Sequence, residues 1–200
     1  MMNDHHALAS MFWTPTYMLT RSKDYALWLL PAGAESVRLK QCIQNLAGTQ
    51  NHSPTFAPHV TLLHPIQIAT PIPDITAKVR DAIAEAFESF NVSALPLELL
   101  SAQGGSHFYQ SVLAPVRPHS TLLALRKACE RQFGLPDSPE YFPHLSLLYG
   151  DLSKEERSKL ATGVNNLEDS LPQVISIREI GIVKVEGVAE QWVMVGSVTF

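Results

Sequence analysis

The chain has 200 residues, of which 46% are apolar, enough to bury the core of one ordinary domain or of two small lobes, so a largely disordered chain is excluded. A formal net charge of -4 disfavours wrapping a long nucleic acid, whose binding rests on lysines and arginines that neutralise phosphates. Cys42 and Cys129 are the only cysteines, too few for a disulfide framework and too far apart for a zinc-binding pair.

Residues 1–23 lack a basic start followed by an unbroken apolar run and read as a loose extension of a domain spanning 24–200. No window approaches the roughly 20 apolar residues that span a bilayer, which points to a cytoplasmic protein without a membrane span. Asp24 to Leu30 is a short hydrophobic strand stopped by Pro31 and Gly33, and Glu35 to Leu46 follows a helical period through Val37, Ile43 and Leu46. After a polar loop, a strand from Phe56 to His64 is closed by Pro65. Ile75, Val79, Ile83, Phe87 and Phe90 recur at one helical face, with Asp74 placed as its cap.

Leu95 to Ser101 and Phe108 to Val116 read as strands joined through a turn at Gly104-Gly105, forming a hairpin or near neighbours. Leu122, Leu125, Cys129 and Phe133 mark a helix ended by Gly134 and Pro136. A strand from Tyr141 to Tyr149 follows, then a capping box, Ser153 to Glu156, that starts another helix. Val174 to Val185 and Gln191 to Phe200 form two long strands about a turn at Gly187.

Within this series one phrase is said twice: Pro58-His59-Val60-Thr61-Leu62-Leu63 and Pro143-His144-Leu145-Ser146-Leu147-Leu148. On a strand, residues i and i+2 leave the same face about 7 Å apart, so each copy presents an imidazole beside a hydroxyl. The two histidines are 85 residues apart, and a strand and a helix precede each copy. This periodicity predicts a duplicated unit and an α+β fold of two similar lobes about a pseudo-twofold axis, antiparallel sheets lining a central cleft and helices outside.

A lone His-x-Thr proves little. Pro118-His119-Ser120-Thr121 also fits, but a helical period follows it, so His119 belongs to the surface at a helix start capped by Ser120 or Thr121. The odd separation of His64 from His59 puts it on the opposite face of the strand. Neither copy is accompanied by His-Glu-x-x-His or by clustered Asp and Glu, so no metal is implied, and Gly104-Gly105 lacks the lysine and hydroxyl of a phosphate-gripping loop.

The Pro143 to Gly150 stretch with Tyr141 upstream, the Pro58 to Thr61 stretch, the strand Tyr25 to Trp28 ending at Pro31, and Phe108-Tyr109-Gln110 resemble the 2H phosphoesterases, in particular the small cyclic phosphodiesterases of plants and fungi. The resemblance covers about residues 24 to 200. It implies hydrolysis of ADP-ribose 1'',2''-cyclic phosphate to the 1''-phosphate and of nucleoside 2',3'-cyclic phosphates to 2'-phosphates, downstream of tRNA splicing and with no metal or other cofactor.

His59 and His144 are then the general acid and base, Thr61 and Ser146 hold the phosphate oxygens, and Trp28, Tyr149 and Gln110 contact substrate. The implied partner is a small cyclic phosphate, met by a monomeric chain in the cytoplasm or attached peripherally to an organelle such as the Golgi. Strict alternation turns Tyr149 away from His144 unless the strand ends by Leu148. An RNA-end-processing or 2'-5' RNA ligase-like enzyme of the same superfamily is an alternative, which would call for basic residues around the cleft; a non-catalytic nucleotide- or RNA-binding module is another.

Overall fold

The structure, a computed structural model, describes residues 24–67, 69–87, 93–135, 140–167 and 171–200. The extension 1–23, Phe90 and Pro136 lie outside the described residues. The elements are β1 (Asp24–Pro31), α1 (Gly33–Gly48), β2 (Val60–Gln67), α2 (Ile72–Ala86), β3 (Leu95–Glu98), β4 (Gln103–Gly104), β5 (Val112–Pro115), α3 (Ser120–Phe133), β6 (His144–Leu148), α4 (Lys154–Asn166), β7 (Val174–Val185) and β8 (Val193–Thr199), with 3-10 turns at Phe108–Gln110 and Ala189–Gln191. All described strand pairs are antiparallel, in the order β3-β7-β1-β2-β6-β5-β4 with β8 alongside β7.

The pseudo-twofold relation is visible in the register. Trp28 lies across from Thr61 and Leu29 from Val60, while Leu113 lies across from Ser146 and Ala114 from Leu145. Each pair of the second half sits 85 residues after its equivalent in the first. The halves are interleaved, because β7 from the second pairs with β1 of the first, and Leu99, just beyond β3, bridges Val116, just beyond β5.

Alternation sorts the sheet into two faces. Leu27, Leu29, Val60, Leu62, Leu145, Leu147, Ile180 and Ile182 bury one face in a core shared with Ile75 and Val79 of α2, Leu122 and Leu125 of α3, and Ala161 and Val164 of α4. Trp28, His59, Thr61, His144 and Ser146 belong to the other. Helix α1 lies across the rim, with Leu39 and Leu46 in the main core and Ile43 against a smaller cluster that includes Phe56 and Tyr149.

The halves meet between β2 and β6 at one backbone pair, Val60 with Leu145. Beyond it the strands part, and the carbonyls that a longer ladder would satisfy find side chains instead. The Tyr141 hydroxyl donates to the Thr61 carbonyl at 3.0 Å, and the guanidinium of buried Arg126 donates to that of Leu62. Arg126 is held in turn by Glu130 at 2.7 Å and lies over the Tyr141 ring, 5.0 Å from its centre.

Several details differ from the sequence expectations. β2 passes Pro65 and continues to Gln67, because the proline sits at a break in register between the Tyr25–Ile66 and Leu27–Leu63 pairs, where no ladder amide is required. Val37 is 70% exposed; the buried face of α1 runs through Leu39, Ile43 and Leu46. Pro71, not Asp74, occupies the cap position of α2, with Asp74 in its first turn. His119 caps α3 itself, its Nδ1 accepting from the Leu122 amide at 3.4 Å, in place of Ser120 or Thr121.

The hairpin partner of β5 is the two-residue β4, while β3 pairs with β7 and its end is a near neighbour of β5 through the Leu99–Val116 bridge, and Phe108–Gln110 is a 3-10 turn. The expected α4 capping box is present, with the Glu156 amide donating to Ser153 Oγ at 3.2 Å and the Ser153 amide to the Glu156 carboxylate at 2.8 Å.

Replacing Tyr141 by Phe removes the partner of the Thr61 carbonyl while keeping the ring. Urea unfolding is expected to show a loss of about 1–3 kcal/mol with an unchanged slope. An unmoved midpoint would show that the carbonyl does not need the phenol.

Candidate active site

The site is built on the Val60–Leu145 pair. In an antiparallel register centred there, one step outward sets His59 across from Ser146, and one step the other way sets Thr61 across from His144. Val60 and Leu145 are wholly buried on the helix face, so the four polar side chains leave together on the cleft face. Each histidine therefore shares the cleft face with the hydroxyl two residues along its own strand.

The rings are oriented alike. His59 Nδ1 lies 2.7 Å from the Ala57 carbonyl and His144 Nδ1 lies 2.9 Å from the Phe142 carbonyl. A carbonyl can only accept, so each Nδ1 carries a proton and each Nε2 is left for chemistry. Their surroundings differ. His59 is 4% exposed, stacked on Trp28 at 3.6 Å between ring centres and 7° between planes, with Phe56 edge-on at 6.1 Å. His144 is half-buried, and its ring meets that of exposed Phe142 at 5.4 Å.

Burial drives the His59 pKa down to about 4; its bond to the Ala57 carbonyl opposes the fall and the charge of His144 adds to it. His144 is also lowered by burial, against its bond to the Phe142 carbonyl. The hydroxyls are unequal too. Ser146 Oγ donates to the Tyr109 carbonyl at 3.0 Å, whereas the Thr61 hydroxyl makes no hydrogen bond among the described residues.

β6 ends at Leu148, which frees Tyr149 from the alternation that would have turned it away. Its ring stacks on Phe56 at 3.8 Å, and its hydroxyl lies beside Ser146. Burial holds that phenol well above the usual tyrosine range, with Ser146 opposing. Tyr109 meets the Tyr149 ring edge-on at 5.2 Å and lies 5.5 Å from Trp192, which is also edge-on to Trp28 at 6.0 Å.

Six of the seven residues singled out in the sequence therefore gather here: His59, His144, Thr61, Ser146, Trp28 and Tyr149. Gln110 lies in the 3-10 turn beside Tyr109. Its side chain makes no hydrogen bond among the described residues, and its backbone packs against Gly105. Phe56, Tyr109 and Trp192 belong to the site and were missed. Phe56, three residues ahead of His59, could have been found from the motif's own neighbourhood, but nothing local marks Trp192, which sits just after the 3-10 turn that precedes β8. Among the described residues no group of three or more His, Cys, Asp or Glu could hold a metal ion.

The sequence profile of the family described as "Cyclic phosphodiesterase-like protein" matches residues 24–200. The chain belongs to this family of 2H phosphoesterases. It is accordingly a cyclic phosphodiesterase. It is 24% identical to the cyclic phosphodiesterase of Arabidopsis thaliana, over 74% of this chain and 76% of that one. It is also 24% identical to the 2',3'-cyclic-nucleotide 3'-phosphodiesterase of Yarrowia lipolytica, over 86% of this chain and 97% of that one. Among solved structures, E. coli LigT complexed with 3'-AMP shares the fold, with a TM-score of 0.51, 12% identity, and coverage of 89% of this chain and 98% of that one.

In a 2H phosphoesterase with one imidazole buried under an indole, the protonation of that ring is tied to folding. The unfolded chain takes up a proton at His59 below pH 6.5, while the folded chain refuses it until about 4. The stability from this residue is therefore fully present above pH 6.5 and is lost on acidification through that window, by about 3 kcal/mol. NMR titration should place the His59 ring near 4, and Trp28→Ala should raise it towards 6.5 by admitting water. A His59 that titrates at 6.5 in the unaltered protein would refute the account.

Proposed function

We propose that the chain hydrolyses nucleoside 2',3'-cyclic phosphates to 2'-phosphates without a metal ion, by acid/base work shared between His59 and His144. The observation that supports this reading is the pairing of the two motifs through Val60 and Leu145, with both imidazoles held at Nδ1 so that each Nε2 is left for chemistry on the face that also carries the two hydroxyls. Opening the ring needs a proton removed from the attacking water and a proton delivered to the departing ribose O3'. Two imidazoles can do both without a cofactor.

Burial divides the roles. His59, almost wholly enclosed, is the neutral ring whose Nε2 takes the proton from water as its oxygen bonds to phosphorus. His144, more open, carries the proton and gives it to O3' as the P–O3' bond breaks. The uncommitted Thr61 hydroxyl donates to one non-bridging oxygen. Ser146 can donate to another only by leaving the Tyr109 carbonyl, so Tyr149, beside it, is a second donor to that oxygen. Trp28 and Tyr149 form the aromatic side of the substrate site. ADP-ribose 1'',2''-cyclic phosphate presents the same five-membered ring to the same atoms, and turnover of either compound suits a place after tRNA splicing.

For the free enzyme, kcat/KM should rise with pH through about 4 as His59 loses its proton, and fall below 6.5 as His144 loses its own, giving a bell with an acidic optimum. Phosphorus NMR with adenosine 2',3'-cyclic phosphate should show only the 2'-phosphate, at a rate unaffected by EDTA. Exclusive 3'-phosphate or abolition of turnover by EDTA would defeat the proposal. Alanine at His59 or His144 should each lower turnover by about 100-fold or more.

A further inference from the structure

Five aromatic rings close a circuit that includes the first imidazole. His59 stacks on Trp28 with 3.6 Å between centres, and Phe56 stacks on Tyr149 at 3.8 Å. Phe56 stands edge-on to His59 at 6.1 Å, which joins the two stacks at one end. Trp192 joins them at the other, edge-on to Trp28 at 6.0 Å and to Tyr149 at 6.2 Å. The edge-on separations fall within the span of about 4.5–7 Å at which aromatic pairs attract. Among the described residues Trp192 is also the one apolar side chain that packs on both small clusters, that of Ile43, Phe56, Tyr149 and Ala189 and that of Ala26, Trp28 and Val183.

The place of Trp192 is set by its backbone and its ring, not by its N–H. Gly187 takes φ +75° and leads into the 3-10 turn Ala189–Gln191, where the Val188 amide donates to the Gln191 side chain at 3.2 Å and the Trp192 amide donates to the Ala189 carbonyl at 3.3 Å. A Cβ at residue 187 would stand 1.9 Å from Gln191 Oε1, so glycine is needed there. Trp192 Nε1 is buried and has no hydrogen-bond partner among the described residues, a cost that the ring contacts outweigh. The same ring reaches the second motif, since it lies 5.5 Å from that of Tyr109, whose carbonyl accepts from Ser146 Oγ.

We propose that Trp192 is a positioning residue for the reaction: by fixing Trp28 over His59, and Tyr149 and Tyr109 beside Ser146, it keeps the first imidazole dry and the second motif's donors in place. The inference rests on the roles proposed above for His59 and Ser146. A residue that only fills the core would lower stability on removal and leave the chemistry of the imidazole as it was. A positioning residue also governs how the His59 ring takes up a proton and how fast bound substrate reacts. The ionisable groups around these rings are His144 on β6, Tyr109, Tyr149 and, in the cleft that Trp192 lines, Glu179 and Glu190. Substitution of Trp192 leaves all of them present.

The test is NMR titration of the His59 ring in the unaltered protein, W192A and W192F, with kcat and KM for adenosine 2',3'-cyclic phosphate measured alongside. In W192A the ring should titrate about one pH unit or more above its value in the unaltered protein, towards 6.5, as water reaches it. With it kcat should fall by about 10-fold or more while KM changes by less than about threefold, because a small misplacement is enough for such a loss. W192F keeps a ring and removes the unpaired N–H, and should restore most of both. A titration or a kcat left unmoved in W192A, a loss confined to KM, or a W192F no better than W192A overturns the inference. If W192A does not fold, W192L, which keeps apolar bulk without a ring, is judged by the same readings. If no cyclic phosphate is turned over, the proposed activity fails, and the titration alone decides whether Trp192 holds Trp28 over His59.

Discussion

The molecule turns on one backbone pair. Val60 and Leu145 join the two halves between β2 and β6, and because these two strands pair with each other nowhere else among the described residues, they diverge at once and leave room between them. A longer ladder would have closed that space. A missing one would have let the two motifs slide, and a slip of a single residue would have turned the slipped strand's histidine and hydroxyl into the helix core. The opening is kept without stranding buried carbonyls, since Tyr141 and Arg126 satisfy those of Thr61 and Leu62. Both side chains come from the second half of the chain, so the device that parts the strands also ties the halves together.

The duplication supplies two identical machines, and the chemistry needs two different ones. The difference enters at equivalent places in the register. Trp28 lies across from Thr61 in the first half, and Leu113 lies across from Ser146 in the second. An indole at one of these points covers His59 and makes its charged form costly; the second half offers His144 only the partly exposed Phe142. Two copies of one phrase thereby acquire imidazoles of different burial through their neighbours, which is the difference the proposed division into base and acid rests on.

What the sequence could disclose was local. A period of two within β-type apolar runs placed the histidines and hydroxyls on one face, and a period near 3.6 separated His119 from them. The register between β2 and β6 was out of reach, because it depends on residues 85 apart in the chain. So were Tyr109 and Trp192, which the fold brings to the site from a 3-10 turn and a strand start without any repeat to mark them. Local rules also misled where tertiary context prevailed. Val37 keeps helical spacing yet faces water, and Pro65, read as a stop, falls where the ladder skips an amide. Tyr149 shows the reverse case: alternation excluded it, and the end of the strand one residue earlier restored it.

The distant support of Ser146 shows how far such context extends. Its hydroxyl is aimed by the Tyr109 carbonyl, so its position depends on the turn around Phe108–Gln110. That turn is fastened at both ends: the Gly150 amide donates to the Phe108 carbonyl at 3.0 Å, and Ser111 Oγ donates to the Gly150 carbonyl at 2.6 Å. From the other side, Arg157 of α4 donates to the Gly105 carbonyl at 2.8 Å. Glycine is required at 105, since a Cβ there would stand 1.9 Å from the Gln110 carbonyl oxygen. The α4 capping box, remote from the cleft, sets the first turn from which Arg157 reaches that loop. A helix start fixed by Ser153 and Glu156 is therefore coupled, through Arg157, Gly105 and Tyr109, to Ser146 of the second motif. This is why only one of the two motif hydroxyls is positioned in advance.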